Sequence, residues 1–169
     1  VQGLWNQIVR FADYCFNKSH SYAYALLSYW TMYLKIKHPK EFAVSLLSLD
    51  MKDTSKLRSH FFAFKDRIAF LPPYIDSAND SFKLVEEGVM MGFGSIKGMG
   101  AASTGLVAHQ PYKNIIEVFE KNRLDKTQLA TLIYSGAFDK LETNKSILLG
   151  NIDRILKFNK TSQNADIFN

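Results

Sequence analysis

Apolar residues recur at helical spacing in the first third of the chain. The spacing is already present at residues 4–12 and predicts a helix there. Residues 21–37 are rich in small and aromatic residues and contain no Gly or Pro, so they predict a long apolar helix. Pro39 suits the first turn of another helix, which we expect to end near Asp50. The residues that this helix is expected to bury are Phe42, Val44, Leu46, Leu47 and Leu49.

A further helix is predicted after Asp53, whose side chain suits the N-cap position. Its apolar stripe has the spacing i, i+4, i+7 and i+11, which is typical of a surface that faces a core rather than a cofactor. The stripe consists of Leu57, Phe61, Phe64 and Ile68. The other faces carry Lys56, Arg58, Lys65 and Arg67. These four cations could face DNA, but a solvated helix face is the interpretation that we favour.

The middle of the chain changes from helical to strand-like patterns. Pro72 and Pro73 stop the helices, and residues 74–81 are a turn region. The strand-like runs 82–85 and 89–93, joined by residues 86–88, predict a β-hairpin.

The last third is again predicted to be helical. A short helix follows residues 111–113, and Asp125 and Gly136 suit the two ends of the next helix. Residues 144–158 predict an amphipathic helix, and the polar residues 159–169 a frayed tail. The fold class is therefore mainly α, in four parts. These are a helical region 1–70, a Pro-rich turn with a β-hairpin at 71–93, a helical region 94–158 and the tail.

Composition narrows the class of protein. With 47% hydrophobic residues, the 169 residues can form one compact core or two small ones. A net charge of +5 suits a polyanionic partner and equally a solvated basic surface. The single cysteine, Cys15, excludes an internal disulfide and a cysteine-based zinc site, and we expect it to be buried. No apolar run is long enough for a membrane span, so we expect a cytoplasmic protein that has no membrane partner.

Residues 16–20 concentrate polar chemistry directly before the long helix. Asn17 or Ser19 can cap that helix, and Lys18, His20 and the first backbone N–H groups then converge on one spot. Such a spot suits a phosphate or another anion. The five residues alone also fit an ordinary cap, with Lys18 solvated and His20 packed at the helix end.

Residues 94–103 contain the second candidate site. Gly98 and Gly100 flank Met99, and an apolar helix follows, which is the pattern of a helix-hairpin-helix. Backbone N–H groups of such a turn bind a DNA phosphate, and Lys97 adds a charge. We therefore expect binding that is indifferent to sequence and sensitive to salt. Ser103 stands where a dinucleotide fingerprint needs a third glycine.

No residue of the chain is predicted to be catalytic or to hold a metal. Two-metal chemistry needs carboxylates on neighbouring strands, whereas the aspartates here fall on predicted caps, helix faces and loops. The four histidines are too scattered for a zinc site. We expect the isolated chain to be inert and to bind no cofactor.

Residues 11–29, FADYCFNKSHSYAYALLSY, closely resemble the fingers signature of the alpha subunit of bacterial DNA polymerase III, the family C replicative polymerases. The resemblance continues through His38-Pro39 and includes residues 96–100 and 132–139. Ser19 before His20 is similar to the DnaE branch. Departures from the pattern are Cys15, Ser21-Tyr22 and Trp30.

The resemblance implies template-directed nucleotidyl transfer, with Mg²⁺ held by a palm that this chain lacks. It implies that Asn17, Lys18, Ser19 and His20 lie near the triphosphate of the incoming deoxynucleotide. It also implies that Lys97, Gly98, Gly100 and Ala101 grip duplex DNA. The implied partners are primer-template DNA, the deoxynucleoside triphosphate, the palm and other replisome subunits.

The helical pattern at the first residues and the absence of an initiating Met predict a piece of a longer protein, which the resemblance implies is a polymerase. One alternative is a stand-alone, non-catalytic helix-hairpin-helix protein that binds DNA. Another is one half of a split, phage-type polymerase, which a partner chain with the palm would complete.

Overall fold

The computed structural model describes residues 2–14, 17–141 and 144–157, and the side chains of residues 13 and 14 are outside this description. By compactness the chain divides into unit 1, Val1–Phe42, and unit 2, Ala43–Asn169. The division into regions that the sequence predicts at residues 70 and 93 stays a prediction. The described residues are mainly helical with one small sheet, as the fold class predicted.

Unit 1 contains α1 (Gln2–Tyr14) and α2 (Lys18–Lys37). Both helices were predicted, but α2 begins three residues earlier than expected because Asn17 is its N-cap. None of the residues of α2 is buried. The prediction that Cys15 is buried falls outside the described residues, as does Phe16.

Helix α3 (Pro39–Leu49) follows and ends beside Asp50, as predicted. Its buried residues are Ala43 and Leu47, which are four apart and therefore share one face. Of the five residues predicted to be buried, only Leu47 is. Leu49 is 82% exposed, and the half-buried ones are Phe42, Val44 and Leu46. Leu49 lies two positions after Leu47, on another side of the helix.

Helix α4 (Thr54–Phe64) begins where the sequence predicts. The Asp53 carboxylate accepts hydrogen bonds from the backbone N–H groups of Ser55 and Lys56, at 3.0 and 3.1 Å. The predicted stripe does face inward, with Leu57 and Phe64 buried. Ile68 is also buried, but it lies after the end of the helix.

Three short strands form one sheet in the order β1-β3-β2. The predicted hairpin is present as β2 (Lys83–Val85) and β3 (Gly88–Met90), which are antiparallel and joined by two residues. Strand β1 (Phe70–Leu71) was not predicted, and it pairs parallel to β3. The second predicted run is shorter than expected, because Phe93–Ser95 forms a 3-10 turn.

The remaining helices are α5 (Ala102–Ala108), α6 (Ile115–Lys121), α7 (Lys126–Ser135) and α8 (Lys145–Gly150). Asp125 and Gly136 cap α7 as predicted. Residues 152–157 are also helical, but a turn at Asn151 interrupts the single helix predicted for 144–158. The Asn151 side-chain amide donates to the carbonyl of Ile147 at 2.9 Å, a local bond that competes with helix propagation. The predicted tail lies outside the described residues.

The core of unit 2 packs the sheet, the 3-10 turn and α5–α8 against one another. Its most completely buried large side chains include Phe93, Phe138, Met99, Leu132 and Ile75. Among the described residues, no helix combines the length and the apolar character that crossing a membrane requires.

Candidate nucleic-acid interface

The first turn of α2 contains all four residues of the predicted triphosphate site. The Asn17 side-chain oxygen accepts from the backbone N–H of His20 at 3.2 Å and from the Ser19 hydroxyl at 2.6 Å. The His20 ring lies beside Tyr24, with 4.3 Å between the ring centroids. Asn17 and Ser19 are therefore engaged in the cap itself, which settles the predicted choice between them in favour of Asn17.

The same turn leaves cationic and N–H groups open. Lys18 is exposed. None of the hydrogen bonds within the described residues uses the backbone N–H of Lys18 or Ser19 as a donor, because Asn17 caps only the His20 N–H. An anion at this turn would therefore meet one ammonium group and two backbone N–H groups, with the positive end of a 20-residue helix behind them.

The second candidate site is the turn between the 3-10 turn and α5, which we call the glycine turn (residues 96–101). Gly98 and Gly100 have φ angles of +90° and +42°, a region that L-residues with side chains avoid. A Cβ atom at either position would meet nothing within 4 Å. The glycines are thus required by backbone conformation and not by crowding, and their outer surface is free for a ligand to approach.

Apolar anchors fix the glycine turn from below. Met99 is fully buried and Ile96 is 9% exposed, and both belong to the core of unit 2. Ser103 is also buried, and its hydroxyl donates to the Gly100 carbonyl at 2.7 Å. Met99 therefore anchors the turn to the core, while the backbone of the two flanking glycines stays at the surface.

Backbone N–H groups of the glycine turn are available to an acceptor outside the chain. Lys97, Gly98, Gly100 and Ala101 are all exposed. In the described part of the chain, no hydrogen bond takes the N–H of any of these four as its donor. The turn thus brings together four open N–H groups and one lysine, which is the donor set that a phosphate needs.

Two supports of the glycine turn were missed by the sequence analysis. Gln128 completes a capping box with Asp125 at the start of α7, and its amide also donates to the Gly98 carbonyl at 3.4 Å. The pattern Asp-x-x-Gln could have indicated the capping box, but not the contact across 30 residues.

The other support is a buried polar network behind α5. The Asn122 amide group donates to the Tyr112 hydroxyl at 2.8 Å, and that hydroxyl donates to the Leu106 carbonyl at 2.8 Å. His109 Nδ1 lies 3.0 Å from the remaining Asn122 oxygen. Since that oxygen only accepts, Nδ1 is the donor in this hydrogen bond. Burial raises the pKa of Tyr112, so its hydroxyl stays protonated and able to donate.

Within residues 2–14, 17–141 and 144–157, no group of three or more His, Cys, Asp or Glu side chains could hold a metal ion.

A comparison with models of known protein families identifies the class of motif that this chain contains. The family model described as helix-hairpin-helix motif matches residues 67–148, which include the glycine turn. This confirms the helix-hairpin-helix prediction at the level of the protein class.

The matched relatives then indicate a family. The chain is 35% identical over 96% of its length to DNA polymerase III subunit alpha of Neisseria meningitidis, and covers 15% of that protein. It is 33% identical to the same subunit of Escherichia coli over 91% of the chain, covering 14% of the relative. For Chlamydia pneumoniae the identity is 31% over 89% of the chain, covering 13%. Over about nine tenths of its length the chain is thus similar to DNA polymerase III subunit alpha, and it spans about one seventh of the length of these relatives.

Proposed function

We propose that this chain is the part of a replicative DNA-directed DNA polymerase that contacts the incoming nucleotide and the duplex. In this proposal the α2 turn orients the triphosphate of a deoxynucleotide, and the glycine turn holds the backbone of primer-template DNA. Both contributions are electrostatic and positional rather than acid-base chemistry. The Mg²⁺ ions that family C polymerases use would be held by a palm outside this segment.

The observation that carries the proposal is the donor set of the glycine turn. Four open backbone N–H groups and Lys97 lie on one exposed turn, inside the region that matches the helix-hairpin-helix family. Backbone N–H groups recognise phosphate oxygens without reading bases. The proposed contact therefore suits an enzyme that must move over every sequence.

The exposed apolar surface of unit 1 favours a polymerase segment over a stand-alone DNA-binding protein. Large apolar side chains in α1 and α2 are open, among them Trp5 at 63%, Tyr29 at 64% and Trp30 at 52% exposed. A high density of exposed large apolar side chains favours a contact with further polypeptide. A DNA-binding protein that used only the glycine turn would have no need of it.

The duplex contact can be tested by fluorescence anisotropy. Two duplexes of unrelated sequence would be titrated with the full chain at several salt concentrations. We expect equal affinity for both, and we expect Lys97→Ala to lower the salt slope by about 0.9, the value for one phosphate contact. Arg123→Ala is the matched control, because Arg123 is an exposed cation of unit 2 outside the turn. Equal effects of the two substitutions would overturn the duplex contact.

The nucleotide contact can be tested by primer extension after mixing the chain with the palm-bearing part of a family C polymerase. We expect Lys18→Ala to raise the KM for deoxynucleotides by about tenfold or more, the usual worth of one charged hydrogen bond. Lys35→Ala, at the far end of the same helix, should leave KM unchanged. A normal KM for Lys18→Ala would refute the nucleotide contact, and failure of extension with every such partner would favour the stand-alone binder.

A further inference from the structure

Helix α4 carries an exposed surface that the proposed function does not use. A groove of about 450 Å³ runs along it, with Leu57, Phe61 and Phe70 among its lining residues. Arg58, Phe62 and Lys65 also line this groove. We call these last three residues the Phe62 platform.

The two neighbouring phenylalanines of α4 have opposite roles. Phe61 packs edge-on against Phe70, with 4.7 Å between the ring centroids, and also lies 6.1 Å from Phe82. Phe62 is 58% exposed. Because Phe61 already fills the contact with the sheet segment, Phe62 contributes an aromatic ring to the surface.

Two cations frame this ring. The guanidinium carbon of Arg58 lies 5.8 Å from the Phe62 ring centroid, and the Lys65 ammonium lies 5.4 Å from it. Arg58 and Lys65 stand at positions i−4 and i+3 relative to Phe62, so their Cα atoms are about 10 Å apart along the helix axis. A ligand that covers the ring therefore passes between two positive charges.

The charges of the platform are not neutralised by the protein. Lys56 is paired with Asp50 at 3.0 Å. For Arg58 and Lys65, in contrast, the described part of the chain offers no carboxylate within 4.0 Å. Residues 54–67 contain four Lys and Arg but only one acidic residue, Asp66. The surface is thus complementary to a ligand that alternates flat apolar groups with negative charges.

We propose that the Phe62 platform binds single-stranded nucleic acid, with one base stacked on Phe62 and the flanking phosphates at Arg58 and Lys65. Unpaired bases expose the faces that stack on aromatic side chains, and their backbone supplies the phosphates. A duplex hides those faces, so the platform distinguishes a single strand from a duplex. This goes beyond the proposed function, which concerns a free triphosphate and duplex DNA.

The test measures binding of an oligothymidylate and of a duplex of equal length to the full chain. We expect Phe62→Ala to weaken single-strand binding about 5- to 150-fold, the range for loss of one stacked base, and to leave duplex binding unchanged. Phe62→Trp should retain binding. Tyr134→Ala is the control, because Tyr134 is a 70% exposed aromatic residue on another helix.

The cations give a second readout. Arg58→Ala and Lys65→Ala should each lower the salt slope of single-strand binding by about 0.7. Lys97→Ala should reduce duplex binding and spare the single strand, so failure of the duplex contact and failure of this proposal are distinguishable. The proposal is overturned if the chain does not bind the oligothymidylate, if Phe62→Ala binds it normally, or if the groove captures only an acidic peptide.

Discussion

Unit 1 and unit 2 differ in how far their apolar residues are buried. Helix α2 has no buried residue, whereas in unit 2 side chains such as Phe93 and Phe138 are at most 1% exposed. The helices of unit 1 are therefore specified by local signals, namely helix propensity and the Asn17 cap. Unit 2 is specified by packing between elements that are distant in sequence. The difference indicates that unit 2 holds its own core, whereas the apolar side chains of α2 stay at the surface.

The largest effect should come from deleting a core side chain in unit 2. Phe138→Ala should lower the free energy of unfolding by about 3–5 kcal/mol, because it leaves a cavity. Tyr29→Ala in α2 should change it by less than about 0.5 kcal/mol. Urea unfolding followed by far-ultraviolet circular dichroism measures both values.

The two tryptophans, Trp5 and Trp30, both lie in unit 1, so their fluorescence reports on that unit separately. Phe138→Ala should shift the circular dichroism transition more than the fluorescence transition. A loss of similar size from Tyr29→Ala would contradict the contrast between the units.

Glycines of the two units should respond with opposite sign. Gly98→Ala should destabilise the chain by about 1–2 kcal/mol, since its positive φ disfavours a Cβ atom even where space is open. Gly3→Ala, inside α1 with nothing near its Cβ position, should stabilise unit 1 by about 0.5–1 kcal/mol. The same unfolding experiment applies, and a neutral Gly98→Ala would mean that the glycine turn relaxes.

Removal of the Tyr112 hydroxyl should have a smaller effect. Tyr112→Phe deletes one hydrogen bond to Leu106 and one from Asn122, and we expect a loss of about 0.5–1.5 kcal/mol. Burial raises the pKa of Tyr112 above its ordinary value of 10.0, so the unfolded chain loses this proton first. The stabilisation is complete below pH 10 and is lost as the pH rises through the folded value. Tyr112→Phe should therefore flatten the alkaline decline in the urea midpoint, and an unchanged slope would argue against the network.

The smallest effect is expected from the partly buried interactions of Asp50 with His60 and Lys56. A hydrogen bond from His60 and another from Lys56 lower the pKa of Asp50 below its ordinary value. The stabilisation is present above that ordinary value and disappears as the pH falls through the lower, folded one. Asp50→Asn should reduce the urea midpoint slightly at neutral pH and not in acid, whereas Asp66→Asn, an exposed control, should do neither. An equal loss at both pH values would show that the effect is not electrostatic.

Local signals in the sequence were sufficient for the helix ends. Asn17, Asp53 and Asp125 cap helices as predicted, because each cap joins groups that are at most three residues apart. Strand β1 was missed because it has two residues and exists only through its pairing with β3, about 20 positions later. The hydrophobic pattern of residues 70 and 71 does not indicate that they pair with β3.

The candidate sites divide in the same way. The Gly98-Met99-Gly100 pattern predicted the glycine turn, since its conformation depends on those residues themselves. The contact of Gln128 with Gly98 and the exposure of Phe62 depend instead on how elements distant in sequence pack together. The sequence stripe identified Phe61 as an inner residue but contained no sign that Phe62 would meet two cations.

The parallel pairing of β1 with β3 has a mechanical consequence. Val89 donates to the Ala69 carbonyl and Met91 to that of Leu71, so the chain leaving α4 is bonded to the chain entering the glycine turn. The three-stranded sheet thus connects the segment after the Phe62 platform to the segment before the glycine turn. A nucleic acid bound to both surfaces, as proposed, would have its single-stranded part and its double-stranded part held at a constant distance from each other.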